Sequence, residues 1–111
     1  MIQVKNIYRE IPKRTVRPTE HIEEILAKGN VKMERIVTYG KPTPEGEWYD
    51  SNKNEFVIVL RGQADLLFED GNRRVKMMVG DYINIPPHAR HRVERVPNRK
   101  NTDTIWFTVY Y

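Results

Sequence analysis

The chain has 111 residues, of which 39% are hydrophobic and 31% charged, enough for one core and too few for two. Nineteen Lys and Arg against fifteen Asp and Glu give a net charge of +4; no apolar run reaches the ~18 residues of a membrane span, and Met1 to Glu10 lacks the apolar centre of a secretory signal, so the expectation is a cytoplasmic protein. The absence of cysteine excludes disulfides, a thiolate nucleophile and every sulfur-built zinc or iron–sulfur site, which leaves His, Asp, Glu and water to hold any metal.

In chain order, the first segment with a pattern is Thr19 to Lys28, read as a short helix. Thr19 would be its N-cap, Glu20, Glu23 and Glu24 the acids of its first turns, and Gly29 its stop. On that helix His21 is a surface residue among glutamates. Everything after Gly29 reads as strands: 31–39, 55–60, 64–68, 74–78, 82–85, 91–96 and 104–111. Turn residues separate them at Gly40 to Gly46, Arg61-Gly62, Asp70-Gly71-Asn72, Gly80-Asp81, Pro86-Pro87 and Pro97-Asn98, with Asp70-Gly71 expected to make a hairpin turn. Short strands at this spacing predict an all-β sandwich or barrel.

The period-2 columns predict what covers each strand. In 55–60 one column is Glu55, Val57, Val59 and the other Phe56, Ile58, Leu60, so both faces are apolar and both need cover. One face suits the interior, the other the N-terminal segment or a second subunit, which predicts a homodimer. In the last strand Trp106, Thr108 and Tyr110 form an amphipathic column suited to a cavity wall or interface, although packing alone also explains Trp48, Trp106 and Tyr110.

The basic residues fall in interrupted runs (Lys5 to Arg17, Arg73 to Lys76, Arg90 to Lys100) without a stacking platform, so no nucleic-acid partner is expected. Gly40 to Gly46 contains two prolines and cannot cradle phosphate with backbone N–H groups. The only serine is Ser51, in a polar loop, which argues against serine-based nucleophilic hydrolysis.

Two segments carry the remaining signal: Glu45 to Gly62, and Gly80 to His91. They resemble the two signature motifs of the cupin superfamily, in particular small single-domain cupins of uncharacterised function. The first motif of that family has a His-x-His pair, a glutamate and a glycine; here Glu55 and Gly62 match, while the two histidine positions fall on Trp48 and Asp50. In the second, Gly80, Pro86 and His91 match, with His88 at a glycine position and Arg95 at an asparagine. The resemblance implies one domain over 1–111, a jelly-roll-like antiparallel β-barrel whose core motifs occupy 44–111, preceded by an N-terminal extension (1–43) with the short helix and first strands.

It also implies a divalent metal inside the barrel, carried onto Asp50, Glu55 and His91, with His88 as the candidate fourth ligand and manganese, iron, nickel or zinc as candidate ions. Simpler roles stand beside these: a turn-former for Asp50, an exposed histidine for His88, an ordinary strand histidine for His91, and for Glu55 an ion pair with an arginine such as Arg92. The expected function is metal-assisted action on, or binding of, a small polar or anionic molecule, with Arg90, Arg92 and Arg95 suited to an anion. The alternative is a metal-free small-ligand binding or sensory module. Whether the chain is an enzyme is left open by the sequence.

Overall fold

A computed structural model describes residues 2–13, 20–96 and 103–111. It is built from eight strands: β1 (Glu20–Lys28), β2 (Val31–Thr38), β3 (Glu55–Arg61), β4 (Gln63–Phe68), β5 (Arg73–Met78), β6 (Tyr82–Ile85), β7 (His91–Arg95) and β8 (Thr104–Tyr110). A five-stranded sheet runs β1-β2-β8-β3-β6 and a three-stranded sheet β5-β4-β7, every ladder antiparallel. From β2 onward the strands fall within a residue or two of their expected bounds. Among the described residues no helix is long and apolar enough to cross a membrane.

The exception is the first element. The segment expected to be a helix is strand β1, paired with β2 from Glu20↔Thr38 to Lys28↔Val31 with a bulge between Glu24 and Leu26. Thr19, the expected N-cap, lies outside the described residues. A ten-residue isolated helix is marginal in water, whereas pairing with β2 satisfies the inward-facing backbone groups of the segment along its length. Gly29, expected as a helix stop, has φ 57° and opens the two-residue turn of the β1–β2 hairpin. Similarly, Gly71 (φ 72°) supplies the left-handed residue of the short 3₁₀ turn Asp70–Asn72 between β4 and β5.

Nor do the strands close into the expected hydrogen-bonded barrel; among the described residues the sheets remain two separate ladders facing each other. Between them lies the main core: Val57 and Val59 of β3, Ala64 and Leu66 of β4, Met77, Ile85, Val93, Val96 and Trp106. The inward column of β3 is the expected one, with Glu55, Val57 and Val59 all buried. Its other column is half-buried, and part of its cover is the N-terminal segment: Ile11 and Leu60 pack on a second cluster of Val37, Tyr39 and Ile105.

Arg35, buried on β2, holds that segment in place. Its guanidinium donates to the carbonyls of Ile7 (3.2 Å), Arg9 (2.7 Å) and Glu10 (3.3 Å) and to the Glu23 carboxylate, while the Tyr39 hydroxyl donates to Pro12 O at 2.9 Å. Gly62, between β3 and β4, is fixed twice over. Its φ is 81°, and a Cβ there would lie 2.7 Å from Thr104 Oγ1, 2.9 Å from Thr104 Cα and 3.0 Å from Asp103 O.

Candidate functional site

The strand alternation that builds the core also builds a cavity of about 100 Å³ between the sheets. Its floor is apolar, formed by Ile36, Val57, Leu66, Ile85 and Val93, and its polar pole gathers Glu20, Glu55, His91, Tyr49, Tyr110 and Thr108. The Trp106, Thr108 and Tyr110 column of β8 therefore forms a cavity wall, as its amphipathic pattern predicts.

Glu55 is the first residue of β3 and is 7% exposed; His91 is the first residue of β7 and is 5% exposed. His91 Nε2 lies 3.5 Å from Glu55 Oε1. The ring is braced by Tyr49 and Phe68, with centroids 5.7 and 5.6 Å away, and its Nδ1 is 2.9 Å from the Ala89 carbonyl. A carbonyl only accepts, so Nδ1 carries the proton and the Nε2 lone pair faces Glu55.

Burial pushes the Glu55 carboxyl up to about 7, and the charges of Glu34 and Glu20 push in the same direction. Burial lowers His91, opposed by its bond to Ala89 and by the charge of Asp50. The pair is thus a neutral imidazole facing a carboxyl that titrates near neutrality, in place of a fixed ion pair.

The four residues expected to share a metal are not brought together. Asp50 and His88 pair with each other at 3.0 Å on the exposed surface, in a loop where His88 adopts φ 64° and its N–H donates to Ser51 O at 2.7 Å. Of the carried-over set, only Glu55 and His91 converge in the cavity. Trp48, at the motif's first histidine position, lies instead beneath the guanidinium groups of Arg90 and Arg92, 5.8 and 5.9 Å from its ring.

The described residues contain no cluster of three or more His, Asp or Glu arranged to hold an ion. Even an open catalytic site usually takes three protein ligands. Glu55 and His91 face each other, but the described residues set no third donor with them, and two donors do not fit a resident transition ion of the manganese, iron, nickel or zinc type.

The arginines depart from expectation as well. Arg92 donates to Thr43 O and does not pair with Glu55; Arg90 pairs with Glu69 at 3.2 Å; Arg95 lies exposed at the end of β7. None lines the cavity.

Sequence reasoning missed Glu20. Read as a helix-surface acid, it lines the cavity from β1 and accepts a hydrogen bond from the Tyr49 hydroxyl. Burial raises its carboxyl above the usual range, the Tyr49 bond partly offsetting this and the Glu34 charge adding to it. The available signal was the turn pair Gly29-Asn30 ahead of a clear strand, which makes the preceding residues the other arm of a hairpin.

Comparison with known proteins agrees with this architecture. The family described as Cupin domain matches residues 35–110. A solved structure from Ralstonia eutropha JMP134, described as a proposed mannose-6-phosphate isomerase, is similar with TM-score 0.85 and 31% identity, covering 98% of this chain and 97% of that one. An RmlC-like cupin protein from Desulfovibrio desulfuricans is similar at TM-score 0.73 and 16% identity, covering 99% and 97% of the two chains. For the EutQ protein of Clostridium difficile the values are 0.66 and 16%, with 83% of this chain and 67% of that one covered. At 16% identity the latter two bear on the fold alone. No curated protein matches the chain.

Proposed function

The chain belongs to the cupin family, and from that premise we propose that it binds a small molecule between its two sheets through Glu55 and His91. The observation that carries this reading is the position of that pair, buried at the polar end of a cavity with an apolar floor. A carboxyl buried without a cationic partner costs stability, and among the described residues no lysine or arginine lines this cavity to compensate Glu55. The arrangement offers a lone pair at His91 Nε2 beside a carboxyl able to give or take a proton. A bound molecule touching both can pass a proton to one and receive a proton from the other, the elementary step of an isomerisation.

Such a step is in keeping with the isomerase description of the Ralstonia eutropha protein. The phosphate of the sugar in that description would find no lysine or arginine on the cavity wall among the described residues. The ligand class is therefore read from the wall itself. We also propose that the protein works in the cytoplasm as a homodimer, supported by the half-exposed Ile22, Ile25 and Leu26 on the open edge strand β1.

The test is a ligand-observed NMR screen of small polar fragments against chelated protein, alongside elemental analysis of the untagged protein before and after repletion with manganese, iron(II), nickel and zinc. The expected result is binding to the chelated wild type that is weakened in Glu55→Gln and lost in His91→Ala. Binding seen only after repletion, with one ion per chain that His91→Ala cannot retain, would replace this reading by a metal-dependent one.

A further inference from the structure

We propose that the cavity is selective for a small organic cation, a primary ammonium on a compact apolar body. This rests on the reading of the cavity as a ligand site and names its substrate class. Two carboxylates, Glu20 and Glu55, line the cavity, and no lysine or arginine does among the described residues. A third, Glu34, is buried on β2 in the same alternating column as Ile36 and Thr38, which face the cavity. Its charge bears on both of the others. Lys32 at the rim is already paired with Glu34, so an anion placed beside Glu20 and Glu55 meets like charge and no lysine or arginine among the described lining residues.

A second observation is independent of the acids. Thr108 Oγ1 is fully buried, its side chain lines the cavity, and it has no hydrogen-bond partner among the described residues. A buried hydroxyl without a partner is unfavourable, and a polar group entering the cavity beside Thr108 would satisfy it. Thr108 lies between Glu34 of β2 and Val57 of β3 in the sheet and two residues from Tyr110.

The chain supplies its own example of the recognition at the rim. Lys32, two residues before Glu34, places its ammonium 3.5 Å from the Glu34 carboxylate and 5.1 Å from the centroid of the Tyr110 ring. A carboxylate beside a cation and an aromatic face beneath it is a standard ammonium site. In the same row across the sheet Glu55 pairs with the other side of Tyr110, and Thr108 lies two residues further in, so a molecule that enters meets a charge, a ring and a hydroxyl. The apolar floor suits a short hydrocarbon body.

The experiment titrates the full chain, chelated and at pH 8, with n-butylammonium chloride, n-butanol and sodium butyrate, three probes of matched chain length and different charge. Amide chemical shifts of Thr108, Tyr110 and Trp106 report occupancy. Butylammonium is expected to saturate these shifts at a concentration about tenfold lower than butanol, with no response to butyrate. Glu55→Gln, which removes charge without changing shape, should bring butylammonium and butanol within about twofold of each other, and Thr108→Val should weaken butylammonium severalfold while leaving butanol unchanged. Equal binding of butanol and butylammonium, or binding of butyrate, would overturn the cation selectivity while leaving the cavity a ligand site. No response to any probe would overturn both.

Discussion

Glu55 and His91 titrate in opposite senses, so their effects on stability are separable by pH. Glu55 holds its proton more tightly folded than unfolded, its carboxyl being raised from an ordinary 4.5 to about 7. The folded state therefore loses relative stability as pH rises between those values. His91 is lowered from its ordinary 6.5, so the stability of keeping it neutral is full above that value and is lost as pH falls below it. Among the described residues the other charged or titratable groups that bear on the pair are Glu20 from β1 and Glu34 from β2 on Glu55, Asp50 and Tyr49 from the loop before β3 on His91, and Tyr110 from β8.

In thermal denaturation with chelator present, Glu55→Gln should be more stable than the wild type at pH 8, by at most about 3 kcal/mol. The difference should vanish near pH 4. His91→Gln should flatten the acid side of the same profile. Half of this site was legible in the sequence: Glu55 and His91 stand out because motif spacing marks them and because an acid heading an apolar strand demands an explanation. Asp50 and His88 did not follow, since motif positions do not specify side-chain direction in an irregular loop, and here the two side chains satisfy each other outside the cavity.

Among the elements, the β3–β4 connection and the N-terminal segment are the places where single side chains decide structure. Gly62→Ala forces a left-handed residue to carry a Cβ against the backbone of Asp103 and Thr104. The expected cost is about 2–4 kcal/mol, read as a lower midpoint in urea at unchanged slope. Arg35→Met removes the three bonds to backbone carbonyls that fasten residues 7–10 to β2. Trypsin cleavage after Lys5 and Arg9 should then accelerate by about tenfold or more, while the sheets remain folded.

Strands from β2 onward were readable because period-2 alternation and Gly or Pro punctuation agree there. β1 was misread because Glu, Leu and Ala favour a helix locally, and the β2 edge that overrules them is a tertiary feature. Glu20 was lost with it: a helix assignment scatters Glu20, Ile22 and Glu24 around an axis, and only an extended chain gives them one face.

For the molecule as a whole, the sheet order sets the kinetics. β8 inserts between β2 and β3, so the five-stranded sheet depends on pairings between segments far apart in sequence. Refolding followed by tryptophan fluorescence is expected in milliseconds to seconds, the range of sheet proteins dominated by non-local pairing; microsecond refolding would contradict this topology. Analytical ultracentrifugation tests the proposed dimer. The wild type should sediment at twice the chain mass, and Leu26→Glu, on the exposed edge of β1, should shift it toward the single-chain mass.

The interposed β8 also matters before the protein is complete. β2 ends at Thr38 and β8 begins at Thr104, so on a ribosome moving at about 5–20 residues per second the inner strand is on the order of 3 to 13 s behind the outer hairpin. During that interval β2 has its β1 neighbour but an open hydrogen-bonding edge on the other side, with Ile36 and Val37 uncovered. A nascent chain in this state presents that edge to pairing with other chains. The yield of soluble protein is therefore governed by translation speed and temperature as well as by the stability of the finished fold.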